Sequence, residues 1–282
     1  MKCAWKSFLK VIPVWMRNEV DKLGADKLLE LRLRVGIPPE LVLKQNNMLL
    51  DRIVELEDIQ FCINTASEYS PWAAKTIERG FITINGGHRI GICGETTIQK
   101  NNISTIRTAS SLCIRIARDF PGIARKVAEI DGSILIIGPP GSGKTTLLRD
   151  LIRQKSNLGD GSISVLDERA EIFPRTKDGF CFPVGSRTDV LTGTSKEQGI
   201  DCVLRTMSPR TIAVDEITAK EDCIALMRAG WCGVNLIATA HASCTYDLNN
   251  RRIYKPLLES GLFTTLIILQ PNKSWKIERM SV

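Results

Sequence analysis

Hydrophobic and polar positions follow two different patterns along the chain. Up to about residue 120 the pattern is mixed. Leu23, Leu28, Leu29 and Leu31 recur near helical spacing, so Val20–Leu33 reads as a helix that Gly36-Ile37-Pro38-Pro39 ends. Leu41–Leu43 and Met48–Leu50 read as short strands on either side of Asn46-Asn47. Asp58–Ala66 and Ser70–Arg79 read as helices. Phe81–Ile84 and His88–Ile92 flank Asn85-Gly86-Gly87, and Asn-Gly accepts the positive φ angles of a tight reversal, which predicts a hairpin. Thr105–Thr108 and Ser111–Ile116 continue the strand-like character. The pattern predicts a small α+β domain over residues 1–120. Pro121-Gly122 then acts as a hinge before a helix from Ile123 to about Ile130.

Beyond the hinge the pattern becomes regular. Ser133–Ile137, Ser162–Leu166, Thr211–Val214 and Asn235–Thr239 are short apolar runs rich in β-branched residues. Runs of that length and composition suit parallel strands buried on both faces. Helical stretches such as Thr145–Lys155 and Glu197–Met207 lie between them. Residues 121–282 therefore read as an α/β domain with a twisted, mainly parallel sheet.

Composition narrows the class. The chain has 282 residues, 43% of them hydrophobic and 24% charged, values of a globular protein rather than a disordered or fibrous one. No apolar run approaches the roughly 18–20 residues of a membrane-spanning helix. Met1–Arg17 carries Trp5, Phe8, Val11 and Trp15 among basic residues, but Pro13 favours a docking or core segment over an interfacial helix. The nine cysteines include no CxxC pair and no zinc-type spacing, which points to a reducing, cytoplasmic setting. The net charge of +7 is spread over both halves, and only 6% of residues are aromatic, so no basic, aromatic-interleaved nucleic-acid stripe is evident.

Ligands of open α/β sheets bind beyond the carboxyl ends of the strands, and four strands here end in polar residues that suit one reaction. The first runs into Gly138-Pro139-Pro140-Gly141-Ser142-Gly143-Lys144-Thr145, followed by Thr146. This is a phosphate-binding loop: glycines turn backbone N–H groups inward, Lys144 reaches the β/γ-phosphates, and Thr145 offers a hydroxyl to Mg²⁺. The helix that follows aims its positive end at the anion. The third strand ends Ile212-Ala213-Val214-Asp215-Glu216. In this Walker B form Asp215 would hold Mg²⁺ through its water shell and Glu216 would take a proton from the attacking water.

The second strand ends Val165-Leu166-Asp167-Glu168-Arg169-Ala170-Glu171. Coming directly after the loop helix, its acids are placed to shape the metal and water site, with Asp167 and Glu171 as catalytic candidates. Arg169 either neutralises the acids or takes part in the chemistry. The fourth strand ends Thr239-Ala240-His241, and His241 is one of only two histidines; there it would sense the γ-phosphate. His88, beside the hairpin turn, reads as structural.

These residues in this order resemble the RecA-like secretion ATPases of type II and type IV systems. Within that group the chain is most similar to the sporulation stage III AA family of endospore formers. The similarity rests on Glu30–Gly36, Gly80–Gly94, Ile114–Arg118, Val165–Ile172, Met207-Ser208-Pro209 and Val214–Ile217. The resemblance implies a RecA-like P-loop ATPase core that binds ATP and Mg²⁺ and works as a ring, a hexamer. It also implies a place on the cytoplasmic face of the mother cell–forespore channel complex, whose membrane components would be its partners. Rings of this kind need an arginine for a neighbour's γ-phosphate. Arg89, Arg115, Arg118 and Arg205 are candidates, though any single one reads first as a surface charge or a strand-face partner of Glu78 or Glu95. Two positions depart from the family pattern: Thr218 where Gly is common, and Arg210 where an acid is common. They leave open a nucleotide-gated scaffold with negligible turnover, and the shared core leaves open a nucleic-acid-translocating ATPase.

Overall fold

The computed structural model describes residues 1–67, 80–99, 102–159, 161–176 and 178–280. The chain divides into two compact units, one of Met1–Asp119 with Pro174–Phe182 and one of Phe120–Phe173 with Pro183–Val282.

In the first unit Pro13 separates helix α1 (Trp5–Val11) from α2 (Val14–Leu23), because it has no N–H to continue the ladder. Gly24, at φ +74°, ends α2. The expected helix over Val20–Leu33 is therefore corrected. Its second half is strand β1 (Leu28–Arg34), where Leu31 and Leu33 are buried and alternate with Arg32 and Arg34. Next come β2 (Ile37–Leu43), β3 (Met48–Leu49), α3 (Leu56–Ser67), β4 (Phe81–Thr83), β5 (Arg89–Gln99) and β6 (Asn102–Arg115). The expected helix at Ser70–Arg79 lies outside the described residues. The two strands expected over Thr105–Ile116 fall almost wholly within the single strand β6. The antiparallel sheet runs β3-β2-β1-β6-β5-β4. Its inner face joins Phe8, Ile12, Met16 and Ile59 in one core, so the N-terminal segment is core material.

His88 is fully buried. Its Nδ1 accepts the Ala117 N–H at 3.1 Å, which leaves the proton on Nε2 to be donated to Ala4 O at 3.0 Å. Both ring nitrogens are thus used structurally.

In the second unit the helix expected from Ile123 shrinks to the short α4 (Arg125–Ala128). Its approach is held by Asp150, whose carboxylate accepts the Gly122 N–H at 3.1 Å and the Ala124 N–H at 2.8 Å. Strand β7 (Ser133–Gly138) leads through a loop into α5 (Lys144–Leu158), and β8 (Ile163–Asp167) follows. After Phe173 the chain passes to the first unit, where β9 (Arg175–Thr176) and β10 (Gly179–Phe180) form a small ribbon. It returns at Pro183 for β11 (Thr188–Thr192), α6 (Lys196–Thr206), β12 (Thr211–Val214), α7 (Lys220–Trp231) and β13 (Asn235–His241). The unit ends with α8 (Thr245–Asn250), α9 (Lys255–Glu259), β14 (Phe263–Leu269) and β15 (Trp275–Arg279).

The sheet order is β11-β8-β12-β13-β7-β14-β15, parallel throughout except for the β14–β15 pair. Strand β13 thus lies between the glycine-loop strand and the Asp215 strand. Ile134, Leu135, Ile136 and Ile137 are all at most 1% exposed, as a strand covered on both faces requires.

Candidate functional site

The site lies at the carboxyl ends of β7, β8, β12 and β13. The loop after β7 turns where only glycine fits: a Cβ on Gly138 would lie 2.6 Å from Ser142 Oγ and 3.0 Å from Leu269 O. Gly143, at φ +102°, caps α5 from the left-handed region. Pro140 and Gly141 form the exposed tip, and Ser142 is buried.

Lys144 is 6% exposed and folds back over this loop. Its Nζ donates to Gly138 O at 3.0 Å, to Pro139 O at 3.1 Å and to His241 Nδ1 at 3.1 Å. Three N–H groups therefore meet three acceptors. Burial draws the Lys144 pKa down, while the charges of Asp215 and Glu216 oppose the shift. An ammonium only donates, so His241 Nδ1 accepts and the ring proton sits on Nε2, from which it is donated to Glu216 Oε1 at 3.1 Å.

Thr145 and Asp215 meet directly: Thr145 Oγ1 donates to Asp215 Oδ2 at 2.7 Å. Thr239, fully buried on β13, ties the two Walker B acids together. Its hydroxyl accepts the Glu216 N–H at 2.8 Å and donates to Asp215 Oδ1 at 2.5 Å. The Ile217 N–H is bound by Thr239 O at 2.9 Å. These contacts hold Glu216 at φ +51°, a conformation that costs a residue with a Cβ on the order of 1–2 kcal/mol. Burial raises the Asp215 pKa, the Thr145 and Thr239 hydroxyls oppose this, and Glu216 and Glu171 push it further up.

Asp167 binds the backbone of its own loop. It is 3% exposed, and its carboxylate accepts the N–H groups of Glu171 at 2.8 Å, Ile172 at 3.1 Å and Phe173 at 2.8 Å. It organises its own loop while lining the cleft beside Asp215 and Glu216. Burial raises its pKa against those three bonds. Arg149, one turn into α5, holds the same loop from the other side, donating to Ile172 O at 2.5 Å and Glu171 O at 2.9 Å. Glu171 lines the cleft with Glu168, Asp215, Glu216 and Thr218. Arg169 Nη1 lies 3.8 Å from Glu216 Oε2.

Thr239 and Arg149 are among the residues sequence reasoning missed. Thr239 had a signal: it is two residues before His241 on one strand, so both side chains share a face. Arg149 had none, because its partners are carbonyls 22 and 23 residues away.

The two departures from the family pattern separate in space. Thr218 N donates to Asp222 Oδ2 at 2.9 Å, which keeps the turn after Glu216 fixed. Arg210 precedes β12 and packs over Gly161, at the end of the strand opposite Asp215. Among the arginine candidates, Arg118 uses its guanidinium on the carbonyls of Ala25 and Leu28, and Arg115 lies 3.3 Å from Glu30, not beside Glu95. Arg89 stacks on the Phe81 ring with its guanidinium carbon 4.1 Å from the centroid, and Arg205 Nε donates to Asp201 O at 3.0 Å.

A nucleotide and a hydrated cation fit this arrangement on local grounds. Ser142 Oγ is buried without a hydrogen-bond partner, and a side chain at Gly141 would meet nothing within 4 Å. The hydroxyl–carboxylate pair of Thr145 and Asp215 is a hard oxygen donor set of the kind Mg²⁺ prefers. Among the described residues, no helix is long and apolar enough to cross a membrane.

Solved structures with the same fold include the ATPase DotB of Legionella pneumophila, 17% identical, with a TM-score of 0.62 over 95% of this chain and 80% of that one. The pilus retraction motor PilT, solved with bound ADP, is 16% identical, with a TM-score of 0.63 over 94% of this chain and 82% of that one. The fold is that of secretion and pilus ATPases, a mostly parallel core preceded by an antiparallel N-terminal sheet. In sequence, the chain is 34% identical to the stage III sporulation protein AA of Bacillus subtilis (strain 168) over 94% of its own length and 90% of the relative's. With the family described as sporulation stage III, protein AA matching residues 8–278, this chain belongs to that family.

Proposed function

We propose that this chain is a Mg²⁺-dependent ATPase that hydrolyses ATP to ADP and phosphate. The observation that carries the reading is the 2.7 Å bond between Thr145 Oγ1 and Asp215 Oδ2, which joins the phosphate loop to the Walker B strand across seventy positions of sequence. The N–H groups of Gly141, Ser142 and Gly143 and the Lys144 ammonium would bind the phosphates, with Pro139, Pro140 and Thr146 shaping the loop around them. Thr145 and Asp215 would hold Mg²⁺, which supplies charge neutralisation across the phosphate oxygens. Glu216 orients the attacking water and accepts its proton; His241 holds Glu216 and reports on Lys144. Glu171 shapes the acidic side of the cleft, and Asp167 is a positioning residue for that loop.

The resemblance to secretion ATPases supports assembly into a ring, a hexamer, with its cytoplasmic site energising assembly of, or transport through, the mother cell–forespore channel. Membrane components of that channel are the proposed partners. Thr218 stays fixed by Asp222 and Arg210 is remote from the acids, so neither favours a scaffold without turnover.

Phosphate release measured with Mg²⁺ and ATP tests the reading at concentrations that favour assembly. Lys144→Ala and Glu216→Gln should each abolish release, while Glu216→Gln retains ATP binding because only the proton acceptor is lost. A wild-type protein that neither binds nor hydrolyses ATP would refute it.

A further inference from the structure

We infer that Lys196 is a positioning residue that latches the acidic loop after β8 to the turn after β12, fixing Arg169 and Glu216 relative to each other. The inference rests on the hydrolytic reading above and adds a residue that the motifs do not contain.

Lys196 opens α6, directly after its N-cap Ser195. Its side chain is only 7% exposed, yet it carries a charge. Stability alone does not explain a buried cation here. A positive charge at the amino end of a helix opposes the helix dipole, and removing an ammonium from water costs several kcal/mol unless carboxylates compensate.

The compensating carboxylates come from two different segments. Nζ is 3.1 Å from Glu168 Oε2, on the acidic loop, and 3.7 Å from Asp222 Oδ2, on α7. Asp222 Oδ2 in turn accepts the N–H groups of Thr218 at 2.9 Å and Ala219 at 3.1 Å, the turn that immediately follows Glu216-Ile217. Glu168 precedes Arg169, which reaches back to Glu216 Oε2 at 3.8 Å.

The contacts close a circuit: Glu216 to Arg169, Glu168 to Lys196, Lys196 to Asp222, and Asp222 back to the turn beside Glu216. Asp167 and Arg149 hold the far end of the loop at Glu171–Phe173, whereas Lys196 grips its first residue, Glu168. Lys196 also lines the cleft that holds Asp215 and Glu216. A catalytic carboxylate displaced by even ~1 Å can cost about a hundredfold in rate, so a latch at this position acts on turnover rather than on nucleotide binding.

The test is Lys196→Met, which keeps the stem and removes the charge, with Lys196→Arg and Glu168→Gln alongside. Lys196→Met should lower kcat for ATP by about tenfold or more and leave KM near the wild-type value. Lys196→Arg should recover part of kcat. Glu168→Gln should reproduce the loss, and the double variant should be no worse than either single one, because both remove the same contact. Hydrogen exchange gives a readout independent of activity: amides of 168–172 and 217–222 should exchange faster together in Lys196→Met and stay unchanged elsewhere. If Lys196→Met does not fold, Glu168→Gln carries both measurements. Wild-type kcat in Lys196→Met and in Glu168→Gln, a rise in KM alone, or unchanged exchange in both segments would overturn the latch. A wild-type protein without ATP turnover would instead refute the hydrolytic reading, and the exchange result would still decide whether Lys196 joins the two segments.

Discussion

Lys144 Nζ and His241 Nδ1 lie 3.1 Å apart, although 97 positions separate them in sequence. Because His241 accepts at Nδ1 and donates its one ring proton from Nε2 to Glu216 Oε1, the imidazole connects the proposed phosphate-binding cation to the proposed proton acceptor. Movement of Lys144 toward a phosphate therefore changes what His241 feels, and Glu216 with it.

His241→Asn separates the two halves of that connection. An asparagine carbonyl can still accept from Lys144, but the shorter side chain does not reach Glu216. Phosphate release should fall by roughly 10–100-fold, the usual cost of losing a group that orients a catalytic partner. Affinity for a non-hydrolysable ATP analogue should stay close to wild type. A variant that loses affinity and keeps turnover at saturation would place His241 in binding instead.

Thr239→Val tests the hydroxyl that serves both Walker B acids. Valine keeps the shape but leaves the Glu216 N–H and Asp215 Oδ1 without their buried partner. Each lost partner costs on the order of 1–3 kcal/mol when the remaining group stays buried. Urea unfolding should show a loss of that size, and hydrolysis should fall because Glu216 no longer has support at φ +51°. Thr239→Ser, which retains the hydroxyl, should recover most of both. Full activity in Thr239→Val would mean that the β12 turn holds itself.

What the sequence revealed was what is local. The glycine loop is a contiguous string whose chemistry follows from its own residues, and the acids at the ends of β8 and β12 announce themselves by following apolar runs. The parallel sheet was legible for the same reason, since strands buried on both faces read as unbroken apolar stretches. The error at Val20–Leu33 came from leucines that satisfy two periods at once; Gly24 and the alternating Arg32 and Arg34 decide for helix then strand. The amide partners of Asp167 were not legible, because an acid at a strand end looks the same whether or not its own loop's N–H groups bind it. Arg149, Asp150 and Lys196 gave no signal, since their roles depend on partners in distant segments. The passage of Pro174–Phe182 into the first unit is likewise a tertiary fact without a local marker.

His88 sets a pH limit on the first unit. Burial pushes its pKa below the ordinary value of about 6.5, and both nitrogens are matched to the neutral ring: Nδ1 accepts from Ala117 and Nε2 donates to Ala4. Protonation would turn Nδ1 into a donor facing another donor. Between the depressed folded pKa and about 6.5 the unfolded chain binds more protons than the folded one, so stability rises with pH across that window. The contribution is fully present above about 6.5 and declines as pH falls toward the folded pKa. Thermal unfolding followed from pH 7.5 to 5 should therefore show a midpoint that drops through this range. His88→Gln, which does not titrate, should flatten the drop attributable to this site while lowering stability at pH 7.5. An unchanged pH profile in that variant would assign the acid sensitivity to the carboxylates instead.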